Sequence, residues 1–186
     1  MQLYGSYTSP YVRHCRIALL ETGTSFELIE TDNKASAEGS PAQKVPYMED
    51  GNVRLYDSAS ILKYIRERAG QAWLPDVKQF DLFCLANTVL DASVNVFQLE
   101  RAGIDPQSND YLKRQSARIS TTVEALEAWA QEKPLQWNDA TLRVACFVAW
   151  AQYRQRVDFA ACPALLTWLE TASTRDEFKS TAPPPA

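Results

Sequence analysis

The arrangement of the first half of the chain is decided by residues 44–61, which read KVPYMEDGNVRLYDSASI. Two short segments with strand-forming residues, Pro46–Glu49 and Val53–Tyr56, flank the dipeptide Asp50-Gly51, and this combination is typical of a β-hairpin. Apolar side chains then recur at helical spacing over Ser58–Arg68. The stretch therefore predicts an antiparallel hairpin followed directly by a helix.

The residues before this stretch add a parallel unit. Gln2–Tyr4 and Phe26–Glu30 have the composition of strands, and Pro10–Glu21 has the apolar spacing of a helix, with Gly23 placed to end it. A polar segment, Asp32–Pro41, predicts a loop before the hairpin. The order β-α-β, loop, β-β-α is that of a thioredoxin-like domain, which we assign to residues 1–72.

Strand signals disappear after residue 76, and the rest of the chain has helical periodicity. The apolar pattern predicts helices over Phe80–Phe97, Tyr111–Gln131 (ended by Pro134), Leu142–Tyr153 and from Pro163 through Leu169, followed by a tail, Thr181–Ala186, that is not helical. Residues 79–186 are therefore predicted to form an all-helical domain, so that the fold class is α/β plus all-α.

Composition narrows the functional classes. The net charge is −4, the isoelectric point is about 5.1, and basic residues are scattered among acids, which argues against nucleic acid or an anionic membrane as a partner. The apolar runs are shorter than the roughly 20 residues of a membrane helix, and the first residues do not form a leader. We therefore expect a cytoplasmic protein.

The cysteines and the histidine argue against a metal site. The four cysteines are widely spaced without a C-x-x-C pair, and the chain has one histidine, whereas protein zinc sites draw on clusters of these residues. We expect most of the cysteines to be buried, reduced thiols. His14 is expected near the exposed side of the first helix.

Two helix starts are candidate binding positions. Ser9 precedes Pro10 and is predicted to be the N-cap of the first helix, where the positive end of the helix dipole would stabilise a thiolate and lower its pKa. Asp57-Ser58 opens the next helix and offers a carboxylate for an ammonium group, with a hydroxyl and backbone N–H groups for a carboxylate. Each would also serve as an ordinary helix cap.

The three motifs together resemble the glutathione transferase family. They read GSYTSPYVR over residues 5–13, KVPYM over residues 44–48 and LYDSASI over residues 55–61, and their order and spacing match that family throughout the first half. The ending DEFKSTAPP, residues 176–184, is similar to that of a short bacterial subgroup. The resemblance therefore covers nearly the whole chain.

The resemblance implies a glutathione site and a role for each matching residue. Ser9 would contact the glutathione sulfur, Val45 would pair its backbone with the cysteinyl unit before a cis Pro46, and Asp57 with Ser58 would hold the γ-glutamyl end. Lys34 or Lys44 would meet the glycyl carboxylate. Tyr7 and Tyr11 flank Ser9 and are alternative hydroxyl donors to the sulfur.

The implied activity is attack of the glutathione thiolate on a small hydrophobic electrophile, held by helices between about Phe80 and Tyr153. Alternatives are glutathione-dependent disulfide or peroxide reduction and a non-catalytic glutathione-binding interaction module. Family likeness also implies a homodimer, with Phe80–Arg101 and Pro46–Ile65 as candidate contacts, and a role in detoxification. Glutathione is the expected co-substrate, and no metal is expected.

The sequence departs from the wider family at two places. Ser9 and Val12 stand where a thioredoxin-type pair has cysteines, which excludes a dithiol mechanism there, and Cys15 lies about 9 Å of helix rise further on. The central helix of the second half lacks the acid three residues after Thr141, where Val144 stands. Its N-cap is therefore expected to be Thr141 or Asp139.

Overall fold

The computed structural model describes residues 1–132 and 135–185. It divides the chain into two compact units, Met1–Trp73 together with the segment from Ser173 onward, and Leu74–Ala172. The elements of the first unit are β1 (Gln2–Gly5), α1 (Pro10–Glu21), β2 (Glu27–Glu30), α2 (Asn33–Gly39), β3 (Tyr47–Asp50), β4 (Val53–Leu55), α3 (Ser58–Arg68) and α8 (Asp176–Ser180). Those of the helical unit are α4 (Val77–Arg101), α5 (Asp110–Glu132), α6 (Asp139–Tyr153) and α7 (Pro163–Ser173), whose last residue clusters with the first unit.

The first unit is built on a mixed sheet with the strand order β2-β1-β3-β4. β1 pairs with β2 in parallel and with β3 antiparallel, and β3 pairs with β4 antiparallel through the turn at Gly51, whose φ is +58°. The predicted thioredoxin-like order and the all-helical second half are confirmed. The fully buried side chains of this unit include Leu3, Cys15, Ile17, Met48, Ile61 and Leu62.

Helix α2 was not predicted, since residues 32–41 were expected to form a loop. Asp32 is its N-cap and accepts a hydrogen bond from the backbone N–H of Ala35 at 2.8 Å. Ser36 is its one buried residue, so the helix has no apolar face from which periodicity could be recognised. The cap and a run of short side chains are sufficient to form it.

Helix α1 is covered on more sides than its sequence pattern indicated. It packs against β1, α3 and the C-terminal helix α8. His14, expected near the exposed side, is wholly buried, and that prediction was wrong. Cys15 is also wholly buried, as predicted for a core residue. The coverage of α1 by three elements explains why a polar aromatic residue lies inside.

The C-terminal tail belongs with the first unit, although the sequence grouped it with the helical domain. Arg13 donates to the backbone carbonyl of Phe178 at 2.8 Å, and its guanidinium carbon lies 3.8 Å from the centroid of the Phe178 ring. Arg16 donates to the carbonyl of Thr181 at 3.3 Å. Phe178 is 3% exposed. These contacts, which join residues about 165 positions apart, fix the tail to α1.

The helical unit is organised around α6, whose side chains are almost all buried. Its N-cap is Asn138, whose side chain accepts from the backbone N–H groups of Ala140 and Thr141, while Thr141 accepts from the N–H of Asn138 at 3.1 Å. The prediction of Thr141 or Asp139 as the cap was therefore wrong, because the hydroxyl of Thr141 fills the reciprocal role. Pro134, predicted to end α5, lies outside the described residues.

Among the described residues, α4 alone has the length and apolar composition of a membrane-spanning helix. Its most apolar window has a mean hydropathy of 1.3, and 44% of that window is buried inside the structure. Polar and charged residues interrupt α4, so it does not contradict the expectation that the apolar runs are shorter than about 20 residues.

Candidate functional site

The strand order brings the three sequence motifs to one end of the sheet. Tyr4, near the end of β1, pairs with Tyr47, the first residue of antiparallel β3, so the chain leaving β1 lies beside the chain entering β3. Leu55, the last residue of β4, pairs with Met48, so the start of α3 lies there as well. Topology alone therefore groups segments that are up to about fifty residues apart in the sequence.

The spacing across this end suits an extended peptide. One strand separates β1 from β4, and neighbouring strands lie about 4.8 Å apart, so the ends of β1 and β4 are separated by roughly 10 Å. An extended tripeptide also spans about 10 Å. A ligand of that length could reach from the start of α1 to the start of α3.

Ser9 is the N-cap of α1, as predicted. It is half-buried, has extended backbone angles, and its hydroxyl oxygen accepts a long hydrogen bond of 3.4 Å from the backbone N–H of Val12. Since the oxygen acts there as acceptor, the Ser9 O–H can donate to a second group. Pro10 follows at the first helical position, where its missing N–H costs nothing. The hydroxyl is thus held at the positive end of the helix.

Asp57 and Lys44 form an ion pair that sequence reasoning did not anticipate. The Nζ of Lys44 lies 3.2 Å from Oδ2 of Asp57, and both side chains are more than half exposed. Asp57 is also the N-cap of α3, because its Oδ1 accepts from the backbone N–H of Ala59 at 2.8 Å. The pair brings together a cation and an anion from two of the predicted motifs. No local spacing rule covers residues 13 positions apart in different elements.

Val45 and Ser58 are the residues that follow Lys44 and Asp57 in the sequence. Ser58 is the first residue of α3 and is 5% exposed. The Val45–Pro46 peptide bond is cis, Val45 is half-buried and Pro46 is buried. Residues 44–46 precede the first residue of β3, so the backbone of Val45 lies beyond the paired part of the sheet.

Lys34, Tyr7 and Tyr11 are the remaining residues that the sequence predicted for the site. Lys34 is exposed near the start of α2, and none of the described hydrogen bonds or ion pairs joins it to Lys44, Asp57 or Ser9. Tyr7 is 41% exposed, and the guanidinium carbon of Arg16 lies 5.0 Å from the centroid of its ring. Tyr11 is half-buried within the first turn of α1. Of the two lysines, Lys44 is the one joined to another candidate residue.

The electrostatics of this end favour a zwitterionic ligand. The N-termini of α1 and α3 each present the positive end of a helix dipole and backbone N–H groups, which attract anionic groups. Asp57 supplies a carboxylate for an ammonium group, and Lys44 supplies an ammonium for a carboxylate. Across residues 1–132 and 135–185, no cluster of three or more metal-binding side chains occurs. The arrangement is therefore suited to a short peptide with both charges.

Comparison with known proteins shows similarity to proteins of one family. The family described as glutathione S-transferase, N-terminal domain, matches residues 3–73. The uncharacterised GST-like protein YibF of Escherichia coli K12 is 33% identical over 205 aligned positions, covering 100% of both chains.

Two solved structures are also similar. A glutathione S-transferase from Methylobacillus flagellatus, determined with glutathione bound, superimposes with a TM-score of 0.87 at 22% identity, covering 98% of this chain and 99% of that one. A glutathione transferase family member from Pseudomonas fluorescens Pf-5, determined with S-(propanoic acid)-glutathione, has a TM-score of 0.81 at 28% identity, covering 99% of this chain and 100% of that one.

Proposed function

Because this chain belongs to the glutathione S-transferase family, we propose that it is a cytoplasmic enzyme that activates the thiol of glutathione for attack on a small hydrophobic electrophile. The observation that carries the proposal is the convergence of Ser9, Val45 and Asp57-Ser58 at one end of the sheet. The structures of relatives with bound glutathione or a glutathione conjugate support the choice of ligand.

Glutathione would lie across this end in an extended conformation. Its γ-glutamyl ammonium would pair with the carboxylate of Asp57, and its α-carboxylate would accept from the Ser58 hydroxyl and the N–H groups that open α3. The backbone of Val45 would pair with the cysteinyl unit. Lys34 or Lys44 would meet the glycyl carboxylate. Because Lys44 is paired with Asp57 at the γ-glutamyl end, its side chain would have to leave that ion pair to reach the glycyl end.

The chemistry would be provided by glutathione and promoted by the start of α1. The glutathione thiol would lose its proton to solvent, and the thiolate would be stabilised by the O–H of Ser9 and by the positive end of the helix dipole. The thiolate would then attack the electrophile, forming a carbon–sulfur bond as the leaving group departs with the bonding electrons. Cys15, the cysteine closest in sequence to Ser9, would take no part, since it is wholly buried.

The assignment of the two serines can be tested by separating binding from thiolate formation. Ser58→Ala should weaken glutathione binding measured by calorimetry, by about tenfold, because a hydrogen bond to a charged group is worth about 1.5 kcal/mol or more. Ser9→Ala should leave affinity nearly unchanged but raise the pKa of the bound thiol, followed by ultraviolet absorption of the thiolate. The matched control is Ser25→Ala, at an exposed loop serine before β2.

The outcomes distinguish the remaining functions. Binding without any change in the thiol pKa would support a glutathione-binding interaction module in place of an enzyme. Turnover of disulfides or peroxides in the absence of conjugation would support reduction with two glutathione molecules. Unchanged affinity in Ser58→Ala would remove Ser58 from the site.

We also propose a homodimer that uses α4 and the 46–65 region. Phe80 is 43% exposed and Val77 is 74% exposed at the start of α4, and a partner subunit seated there would cover both apolar side chains. Light scattering after size-exclusion chromatography should give twice the chain mass of 20.9 kDa. Phe80→Asp should shift the mass to that of one chain, and a monomeric mass for the unsubstituted protein would contradict the proposal.

A further inference from the structure

The helical unit contains a cleft that the proposed glutathione site does not use. It lies between the C-terminal half of α4, α5 and the segment 156–162 that follows α6, and its volume is about 600 Å³. All of its lining residues belong to Leu74–Ala172. Clefts of this volume are typical of small-molecule sites. We call it the α4–α5 cleft.

The exposed part of the α4–α5 cleft is negatively charged. Its charged lining residues are Glu100, Asp105, Glu124, Asp158 and Arg156. Four carboxylates and one guanidinium leave a formal excess of three negative charges, and the guanidinium of Arg156 is paired with Glu100. Asp105, Glu124 and Asp158 are exposed. A cation would therefore be favoured at the mouth of the cleft.

The pKa of the buried Cys162 thiol is affected by the same negative charges. Cys162 lines the cleft and is 6% exposed. Burial raises the pKa of its thiol above the usual value, and the negative charges of Glu127, Asp158 and Glu124 raise the pKa further. Burial disfavours charge of either sign, whereas the contribution of the three carboxylates favours a positive charge near them.

The wall of the cleft is apolar. Val96 on α4 is 6% exposed, and Ile119 and Val123 on α5 face the same space. Val157 and Ala161 extend this surface on the segment after α6. An alkyl chain could therefore lie against the wall with its charged end at the acidic mouth.

Ser93 supplies an unused polar group in the buried part of the cleft. It lines the cleft and is 2% exposed, yet its hydroxyl makes no hydrogen bond within the part of the chain that the structure describes. Hydroxyl groups within helices often bond to the carbonyl four residues earlier. Thr88 on α4 does so with Cys84 at 2.9 Å, and Thr121 on α5 does so with Ala117 at 3.1 Å. The Ser93 hydroxyl is therefore available to a ligand.

We propose that the α4–α5 cleft binds a small organic cation of the amino alcohol class, an alkylammonium ion with a hydroxyl group at its far end. The ammonium lies among Glu124, Asp158 and Asp105, the alkyl chain packs against Val96 and the apolar residues of α5, and the hydroxyl bonds to Ser93. The proposal does not depend on glutathione binding.

Four probes of equal chain length separate charge from hydrogen bonding: aminohexanol, hexylamine, hydroxyhexanoate and hexanediol. Calorimetric and NMR titrations should show saturable binding of aminohexanol at one site, with hexylamine weaker by about fivefold because it lacks the hydroxyl. Hydroxyhexanoate and hexanediol should not saturate. Equal binding of the anion and the amines, or no saturable binding of either amine, would overturn the proposal.

Substitutions test the two ends of the ligand separately. Ser93→Ala should reduce the affinity for aminohexanol to that for hexylamine and leave hexylamine unchanged, and it should not lower the melting temperature, because a buried hydroxyl without a partner is removed. If Ser93→Ala leaves the affinity for aminohexanol unchanged, the hydroxyl contact is wrong.

The double variant Glu124→Gln with Asp158→Asn should weaken both amines by about tenfold, since each exposed charge contributes only about threefold to the affinity. The Asp158→Asn change keeps a side-chain oxygen that can accept the hydrogen bond Asp158 takes from the backbone N–H of Ala160 at 2.9 Å. Asp81→Asn is the matched control, at an exposed acid on α4 outside the cleft. An equal loss in the control would mean non-specific charge attraction and would contradict a site. Glutathione titrations of the same variants should be unchanged.

Discussion

Asp57 performs two tasks that substitution can separate. Its Oδ1 caps α3 by accepting from Ala59 N–H at 2.8 Å, and its Oδ2 lies 3.2 Å from Nζ of Lys44 and is proposed to bind the glutathione ammonium. Asp57→Asn retains a side-chain oxygen for the cap and removes the charge. Asp57→Ala removes both, so the two variants should share a loss of binding and differ in stability.

The expected changes in glutathione affinity and in stability follow from the exposure of the Asp57 side chain. A hydrogen bond to a charged group is worth about 1.5–3 kcal/mol, and because the Asp57 side chain is 54% exposed we take the lower end. That corresponds to about tenfold weaker binding. Asparagine is as good an N-cap as aspartate, and an exposed ion pair contributes less than about 1 kcal/mol. Asp57→Ala should lower the free energy of unfolding by about 1 kcal/mol, or about 3 °C in melting temperature.

Calorimetry with glutathione and thermal denaturation of the same samples measure both effects. Asp76→Ala is the matched control, because Asp76 caps α4 through Lys78 and Gln79 N–H groups and lies outside the proposed site. It should lose stability without losing affinity. The reasoning would be refuted if Asp57→Asn bound glutathione as well as the unsubstituted protein, because the carboxylate would then make no contact with the ammonium.

Three further predictions concern the fold. Phe178→Ala should lower the free energy of unfolding by about 3 kcal/mol in denaturant titrations, because it removes a buried ring and its contact with Arg13. A loss below about 1 kcal/mol would show that the tail is not fixed to α1. A thiol reagent should modify Cys84 alone in the folded protein, because the other three cysteines are buried. Cys84→Ser should abolish this labelling. Modification of a second thiol would contradict the burial pattern. Gly5→Ala should lower the free energy of unfolding by about 2 kcal/mol, because a Cβ there would overlap the side chain of Val12. An unchanged melting temperature would show that α1 can shift to make room.

The first unit was predictable from sequence because its signals are local. The bounds of α1 and α3 follow from Pro10 and Ser58 at their starts and from apolar spacing within them. The hairpin follows from Gly51, whose positive φ suits glycine. Helix α2 was not predicted because its one buried residue, Ser36, is polar.

The contacts that were missed join residues distant in sequence. Burial of His14 follows from the packing of β1, α3 and α8 around α1, which periodicity within α1 cannot report. The tail contacts of Arg13 and Arg16 have the same origin. For the candidate site, the motifs were visible in sequence, whereas the ion pair of Lys44 with Asp57 required the strand order.

The most direct test of the proposed function is calorimetric titration of the purified protein with glutathione, followed by ultraviolet detection of the bound thiolate across pH. We predict saturable binding and a thiolate that is already present near neutral pH, because the Ser9 hydroxyl and the α1 dipole stabilise the anion. Absence of binding, or a bound thiol that ionises only at the pH of free glutathione, would contradict the proposal.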